Sequence, residues 1–189
     1  APIGDRLMTS LLTLIQNSAK QPTVLEDAFV AVGTVIVALE ADFEKYLEAF
    51  LPFLVEGLRN HDEYQLCTIS VGIVGDVCRA LGERAARYTE TLVLALFEDL
   101  QSPVLNRSVK PHILSSFGDI AMAIGPAFEP YLSTAMAVLQ QASLVRAPAD
   151  SDFEMSEYVN DLREGIAEAY TGIVTGFRTG SHEAVLQPY

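Results

Sequence analysis

Val74-Gly75-Asp76-Val77-Cys78-Arg79-Ala80-Leu81 recurs 43 positions later as Phe117-Gly118-Asp119-Ile120-Ala121-Met122-Ala123-Ile124. It is foreshadowed 42 positions earlier by Val32-Gly33-Thr34-Val35-Ile36-Val37-Ala38-Leu39. The same offsets carry Phe29 onto Val71 and Leu114, Tyr46 onto Tyr88 and Tyr131, and Leu54 onto Leu96 and Leu139. A fourth copy follows at a step of 53, with Tyr170, Ile173 and Phe177 under Phe117, Ile120 and Ile124. The ten extra residues fit a loop around Ala147 to Phe153. Apolar columns held in phase across copies mark a repeat architecture, in which each unit buries its apolar face against its neighbours.

Each unit reads as two helices. Phe43, Leu47, Phe50, Leu51, Leu54 and Leu58 are spaced by threes and fours, as are Val71, Val74, Cys78 and Leu81. Turn signals at Lys20-Gln21-Pro22, Asn60-His61-Asp62, Gln101-Ser102-Pro103 and Gly125-Pro126 separate the segments. The spacing predicts eight helices, near 3–18, 22–40, 42–59, 62–81, 84–101, 106–124, 127–145 and 154–178. They pair near 3–40, 42–81, 84–124 and 127–178. Two helices per ~42 residues is the period of HEAT and armadillo arrays, so the expected fold is an all-α solenoid of HEAT repeats. Pro52 is expected to bend its helix by removing a backbone donor. The first helix holds Leu7, Met8, Leu11, Leu12, Leu14 and Ile15, and 179–189 read as a loop leading onward. A piece of a longer superhelix is the expectation.

Composition narrows the function. Twelve Lys and Arg against 25 Asp and Glu give a net charge of −13 in 189 residues, the opposite of a nucleic-acid footprint. Half the residues are hydrophobic, too many for a disordered chain. The longest apolar run, Ala28 to Leu39, is 12 residues, short of the ~18 that span a bilayer, so no membrane insertion is expected. Cys67 and Cys78 lie eleven residues apart on one predicted helix face, roughly 16 Å along the axis and beyond disulfide reach. They read as buried thiols in a reducing compartment. His61, His112 and His182 lack zinc-ligand spacing, and no phosphate loop or nucleophile elbow occurs. No catalytic residue, metal or cofactor is expected.

Charge placement is more informative. Between Ala147 and Glu168 stand seven acidic residues, Asp150, Asp152, Glu154, Glu157, Asp161, Glu164 and Glu168, and one basic residue, Arg163. Five of them, from Glu154 to Glu168, step by threes and fours along one helix face. The stripe reads either as a solvated face or as a docking surface for a basic peptide. Asp76 and Asp119 extend it along the second helices of earlier pairs, with Glu26, Asp27, Asp62 and Glu63 as further candidates. On the first helices, Tyr46, Phe53, Phe97, Phe128 and Leu132 read either as inter-repeat packing or as the lining of shallow pockets for aromatic side chains.

Several stretches are more specific than a generic helical repeat. Tyr64-Gln65-Leu66-Cys67, Val71 to Leu81, Asn106-Arg107-Ser108-Val109-Lys110-Pro111, Phe117-Gly118-Asp119-Ile120-Ala121, Leu139-Gln140-Gln141-Ala142-Ser143 and Glu168 to Val174 resemble the importin-beta (karyopherin-beta) family. The likeness runs from about Glu26 to Arg178 and is to repeats of that family's C-terminal half. It implies a right-handed superhelical array whose second helices line the concave face. That face would hold the basic importin-beta-binding segment of importin-alpha, or other basic cargo, and Ran-GTP would release it in the full-length receptor. Phe-Gly nucleoporins would insert aromatic rings between the outer helices. The resemblance also implies shuttling between cytoplasm and nucleus through the nuclear pore complex. The family's acidic loop belongs to other repeats, and the cluster near 147–154 is not its equivalent. A non-transport HEAT scaffold is the alternative reading.

Overall fold

In the computed structural model, residues 2–148, 152–179 and 182–189 are described. Eight α-helices follow one another: α1 Pro2–Asn17, α2 Pro22–Leu39, α3 Glu44–Leu58, α4 Tyr64–Leu81, α5 Ala86–Gln101, α6 Lys110–Ile124, α7 Glu129–Ser143 and α8 Phe153–Thr179. Short 3₁₀ turns join α2 to α3, α4 to α5 and α6 to α7, and no strand occurs among the described residues. Pro22 and Pro111 sit in the first turns of α2 and α6, where a missing N–H costs nothing. Pro52 lies inside α3.

The helices form two layers. The second helices α2, α4, α6 and α8 pack successively against one another, α1 packs on α3 and α3 on α5, and each first helix packs on its second. The repeat columns are the core. Phe29, Val71 and Leu114 are buried, as are Val35, Val77 and Ile120, and Leu54, Leu96 and Leu139 are fully so. One continuous apolar cluster runs from Met8 to Phe177, so each pair draws its stability from its neighbours. Both cysteines are free and buried. One 18-residue window within 64–101 has the mean hydropathy of a membrane span, but that segment divides at Gly82 into α4 and α5, which pack in the array.

The turns repeat as closely as the helices. Glu40, Gly82 and Gly125, at steps of 42 and 43, all have positive φ, of 47°, 55° and 56°. Two of the three are glycine, which reaches that region without a Cβ clash; Glu40 is strained there.

The closest helix contact in the array is between α6 and α8. Gly165, Ala169, Gly172 and Gly176 form a stripe with spacings of four, three and four on α8. A Cβ built on Gly165, Gly172 or Gly176 would strike the backbone of Pro111, Gly118 or Ala121. From the other side, a Cβ on Gly118 would lie 2.7 Å from Glu168 O and 2.8 Å from Ala169 Cα. Backbone meets backbone here, with no side chain between.

Candidate functional site

Close α6–α8 packing sets the acidic stripe beside α6. Glu154, Glu157, Asp161, Glu164 and Glu168 are all exposed on α8; Asp150 lies outside the described residues. Two adjoining troughs of about 490 and 390 Å³ run between the helices, and Ser115, Glu164 and Glu168 line both. Asp161 and His112 line one, Arg79 and Asp119 the other. The stripe is not uniform. Arg107 Nη2 donates to Glu154 Oε1 at 2.5 Å, and Ser115 Oγ donates to Glu168 Oε2 at 2.6 Å. Among the described residues, Glu157, Asp161 and Glu164 have no ion-pair or hydrogen-bond partner through their carboxylates. These three are the open charges.

Asp76 and Asp119, the candidates that extend the stripe along earlier second helices, are already engaged within the fold. Arg79 bridges them, with Nη2 2.7 Å from Asp76 Oδ1 and Nη1 2.7 Å from Asp119 Oδ2 of the next pair. The glycine column makes the room: a Cβ on Gly75 would meet Asp119 Oδ2 at 2.5 Å. Two carboxylates sharing one guanidinium keep a single net negative charge, and their first role is to tie α4 to α6.

The first-helix candidates divide. Phe53 is half-buried in the wall of a cavity of about 140 Å³ between α1 and α3, with Ile15, Ala19, Glu56 and Asn60 around it. Tyr46 donates its hydroxyl proton to Asp5 Oδ1 at 2.5 Å, and Lys45 Nζ reaches the same oxygen at 2.7 Å. Hydrogen bonds from Lys45 and Tyr46 hold the Asp5 carboxyl below its ordinary range, and the hydrogen bond to Asp5, with that of Tyr46, pushes the Lys45 ammonium above its own. Tyr46 therefore serves first as a clasp between α1 and α3. Phe97 is half-buried against Phe117, centroids 5.0 Å apart. These three side chains stand in separate places along the layer and do not form one site.

Phe128 and Leu132 are corrected outright: they are 0% and 1% exposed and line no open groove. The repeat register accounts for this. Phe128 shares a column with Phe43 and Ala85, and Leu132 with Leu47 and Thr89; every member is buried.

A polar cluster escaped the sequence reading. His61 Nε2 lies 2.9 Å from Asp99 Oδ1, and Ser102 Oγ lies 3.1 Å from His61 Nδ1. Asp99 is 1% exposed and, among the described residues, its Oδ2 has no hydrogen-bond partner. Burial raises the Asp99 carboxyl above 3.8, against the opposing hydrogen bond from His61. The cluster joins the turn after α3 to the end of α5, thus the second pair to the third. Ser102 Oγ also accepts from Val104 N at 3.4 Å, which closes the turn. No group of three His, Cys, Asp or Glu suited to a metal occurs among the described residues.

Two stacked helix layers repeating every 42–43 residues define an α-solenoid of HEAT type, a class whose long helix layers serve as docking surfaces. A family model described as importin subunit beta-1-like, TPR repeats, matches residues 1–189. The period here exceeds the ~34 residues of a TPR unit and fits the HEAT range. Importin subunit beta-1 of Schizosaccharomyces pombe is 48% identical over 186 residues, covering 98% of this chain and 22% of that protein. A crystal structure of importin beta grown in polyethylene glycol superposes with a TM-score of 0.96 at 44% identity, over 100% of this chain and 23% of the other. Kap95 in complex with Nup1 gives 0.87 at 32% identity, over 100% and 21%, and Kap95p bound to RanGDP gives 0.90 at 33%, over 100% and 21%. The chain belongs to the importin-beta family. It spans about a fifth of the length of these relatives.

Proposed function

We propose that this chain is part of a nuclear import receptor, from the C-terminal half of the molecule, and that its second-helix layer receives basic segments. The observation that supports this most directly is the α6–α8 trough, lined by Asp161 and Glu164, whose carboxylates have no partner among the described residues. A like-charged stripe weakens its own helix by a few tenths of a kcal/mol per pair, so it contributes to something other than helix stability. The segment it suits is rich in Arg and Lys, as in the importin-beta-binding segment of importin-alpha or a basic cargo. In the intact receptor Ran-GTP would then release that segment. The protein would shuttle between cytoplasm and nucleus, and its work is binding, not catalysis. The Ser102–His61–Asp99 chain reads as an inter-repeat clasp.

The opposite layer supports a second contact. Kap95 forms a complex with Nup1, and the cavity beside Phe53 between α1 and α3 suits an aromatic ring from a Phe-Gly nucleoporin. Tyr46 and Phe97 are secondary candidates on the same layer. A HEAT scaffold with no transport role would need neither feature.

The test is a fluorescence-anisotropy titration of an Arg-rich peptide against the chain and its Asp161→Asn/Glu164→Gln variant. Exposed pairs contribute up to ~1 kcal/mol each, so the variant should bind about tenfold more weakly at low salt, with the gap narrowing as salt is added. Equal affinities for the two proteins would overturn the assignment.

A further inference from the structure

The outward positions of the second-helix layer change character along the array. Val30, Gly72, Ser115 and Glu168 occupy one repeat column, at steps of 42, 43 and 53; Val37, Arg79 and Met122 occupy another. At the acidic end these positions line the α6–α8 trough. At the other end they line a trough of about 390 Å³ between α2 and α4, walled by Val30, Val37 and Ile69 and floored by Gly72. Val30 and Val37 are 54% and 64% exposed, so a row of aliphatic carbons faces water on the same layer that carries the open carboxylates.

Gly72 has no explanation within the fold. A Cβ there would meet nothing within 4 Å, whereas one on Gly118 would strike backbone. A mid-helix glycine weakens a helix relative to alanine, and here packing gives nothing in return. Its effect is to leave the floor of the α2–α4 trough flat and open to a side chain from outside.

Charge selects the occupant. Asp76 closes one end of the trough and shares a single guanidinium with Asp119, while Asp27 lies exposed one turn below Val30 on α2. A partner that is apolar here and basic nearby is matched, and an acidic one is repelled. Helix spacings of 8–10 Å put the apolar trough roughly 20 Å from the α6–α8 trough, two steps along the layer. That distance is about 13 residues of helix or about 6 of extended chain.

We propose that the α2–α4 trough seats an aliphatic or aromatic anchor side chain of the same basic segment whose Arg and Lys residues meet the α6–α8 carboxylates. This rests on the reading of the second-helix layer as a receiver of basic segments, and adds a rule of selection: basic charge alone is half of the ligand. The rule is a basic cluster with one large apolar residue about 20 Å away.

Two labelled helical peptides test this by anisotropy on the 189-residue chain, both with the same Arg cluster. One carries Leu 13 residues from the cluster and the other Ser at that place. The Leu peptide should bind about tenfold more tightly, and the ratio should persist at high salt because it is apolar. Val37→Ser in the trough wall should bring the ratio near one while leaving the affinity for the Ser peptide unchanged. If both peptides bind equally, or the ratio survives Val37→Ser, the anchor site is overturned while the basic-segment reading stands. If neither binds at low salt, both fall. Sedimentation of the chain alone supplies one further outcome: self-association abolished by Val37→Ser would assign the trough to a second copy and overturn the proposal.

Discussion

Gly118→Ala should destabilise the array, although alanine is the better helix former. In open helix the exchange is worth about 1 kcal/mol in favour of alanine. At this position the new methyl would lie 2.7 Å from Glu168 O and 2.8 Å from Ala169 Cα, where ordinary contacts are 3.4–4 Å. Both obstacles are backbone, so no rotamer change relieves them, and α8 must retreat by more than half an ångström along its closest contact. Overpacking of this kind costs about 1–3 kcal/mol, at the upper end where backbone must move, and the net loss should be about 2 kcal/mol. For a chain of this size that is a fall in Tm of about 4–8 °C. Gly72→Ala is the matched control, because its Cβ meets nothing; it should gain up to about 1 kcal/mol. Urea titration followed by circular dichroism reads both. Substitutions of the same sign, or a Gly118→Ala chain as stable as the parent, would refute the backbone-to-backbone account of α6 and α8.

Other consequences follow from single residues. Glu40 holds φ 47° and ψ −129°, where its repeat equivalents are Gly82 and Gly125; Glu40→Gly should raise stability by about 1 kcal/mol by calorimetry, since strain of this kind costs about 1–3 kcal/mol and glycine returns part of that as chain entropy. Burial pushes the Cys67 and Cys78 thiols up to about 12, with the Asp99 and Asp119 charges adding to it. At pH 8 both should react with a maleimide far more slowly than a free thiol, at a rate that rises in step with unfolding by urea. Burial also raises Asp99 above 3.8, so from about pH 4 upward the folded chain retains a proton that the unfolded chain releases, and stability falls as pH rises through that window. Asp99→Asn should lose this slope in urea titrations run at stepped pH.

Much of the fold is legible because the repeat offsets are rigid: once Val74-Gly75 is laid on Phe117-Gly118, the buried columns and the eight helices follow. Exposure is misjudged where a helix is read apart from that register. Phe128 and Leu132 look like leftovers on a single helix wheel, yet their columns with Phe43 and Leu47 are buried throughout. The α8 stripe Gly165, Ala169, Gly172, Gly176 is a readable signal for close approach, but which helix it meets depends on how the last pair stacks on the third. Asp76 and Asp119 are visible as a column, whereas their sharing of Arg79 depends on the spacing between pairs. The His61–Asp99–Ser102 clasp was the least legible, since its members stand on separate turns and only the stacking of the pairs joins them.

The proposed division between the helix layers gives basic segments to the second helices and Phe-Gly side chains to the first. Heteronuclear NMR of the chain titrated with an Arg-rich peptide, an FxFG peptide and then both tests this division. The expected result is two separate sets of saturable shift changes, around Asp161 and Glu164 for the basic peptide and around Phe53 for FxFG, each unaltered by the other ligand. Displacement of one peptide by the other, or changes from both on the same helices, would contradict it.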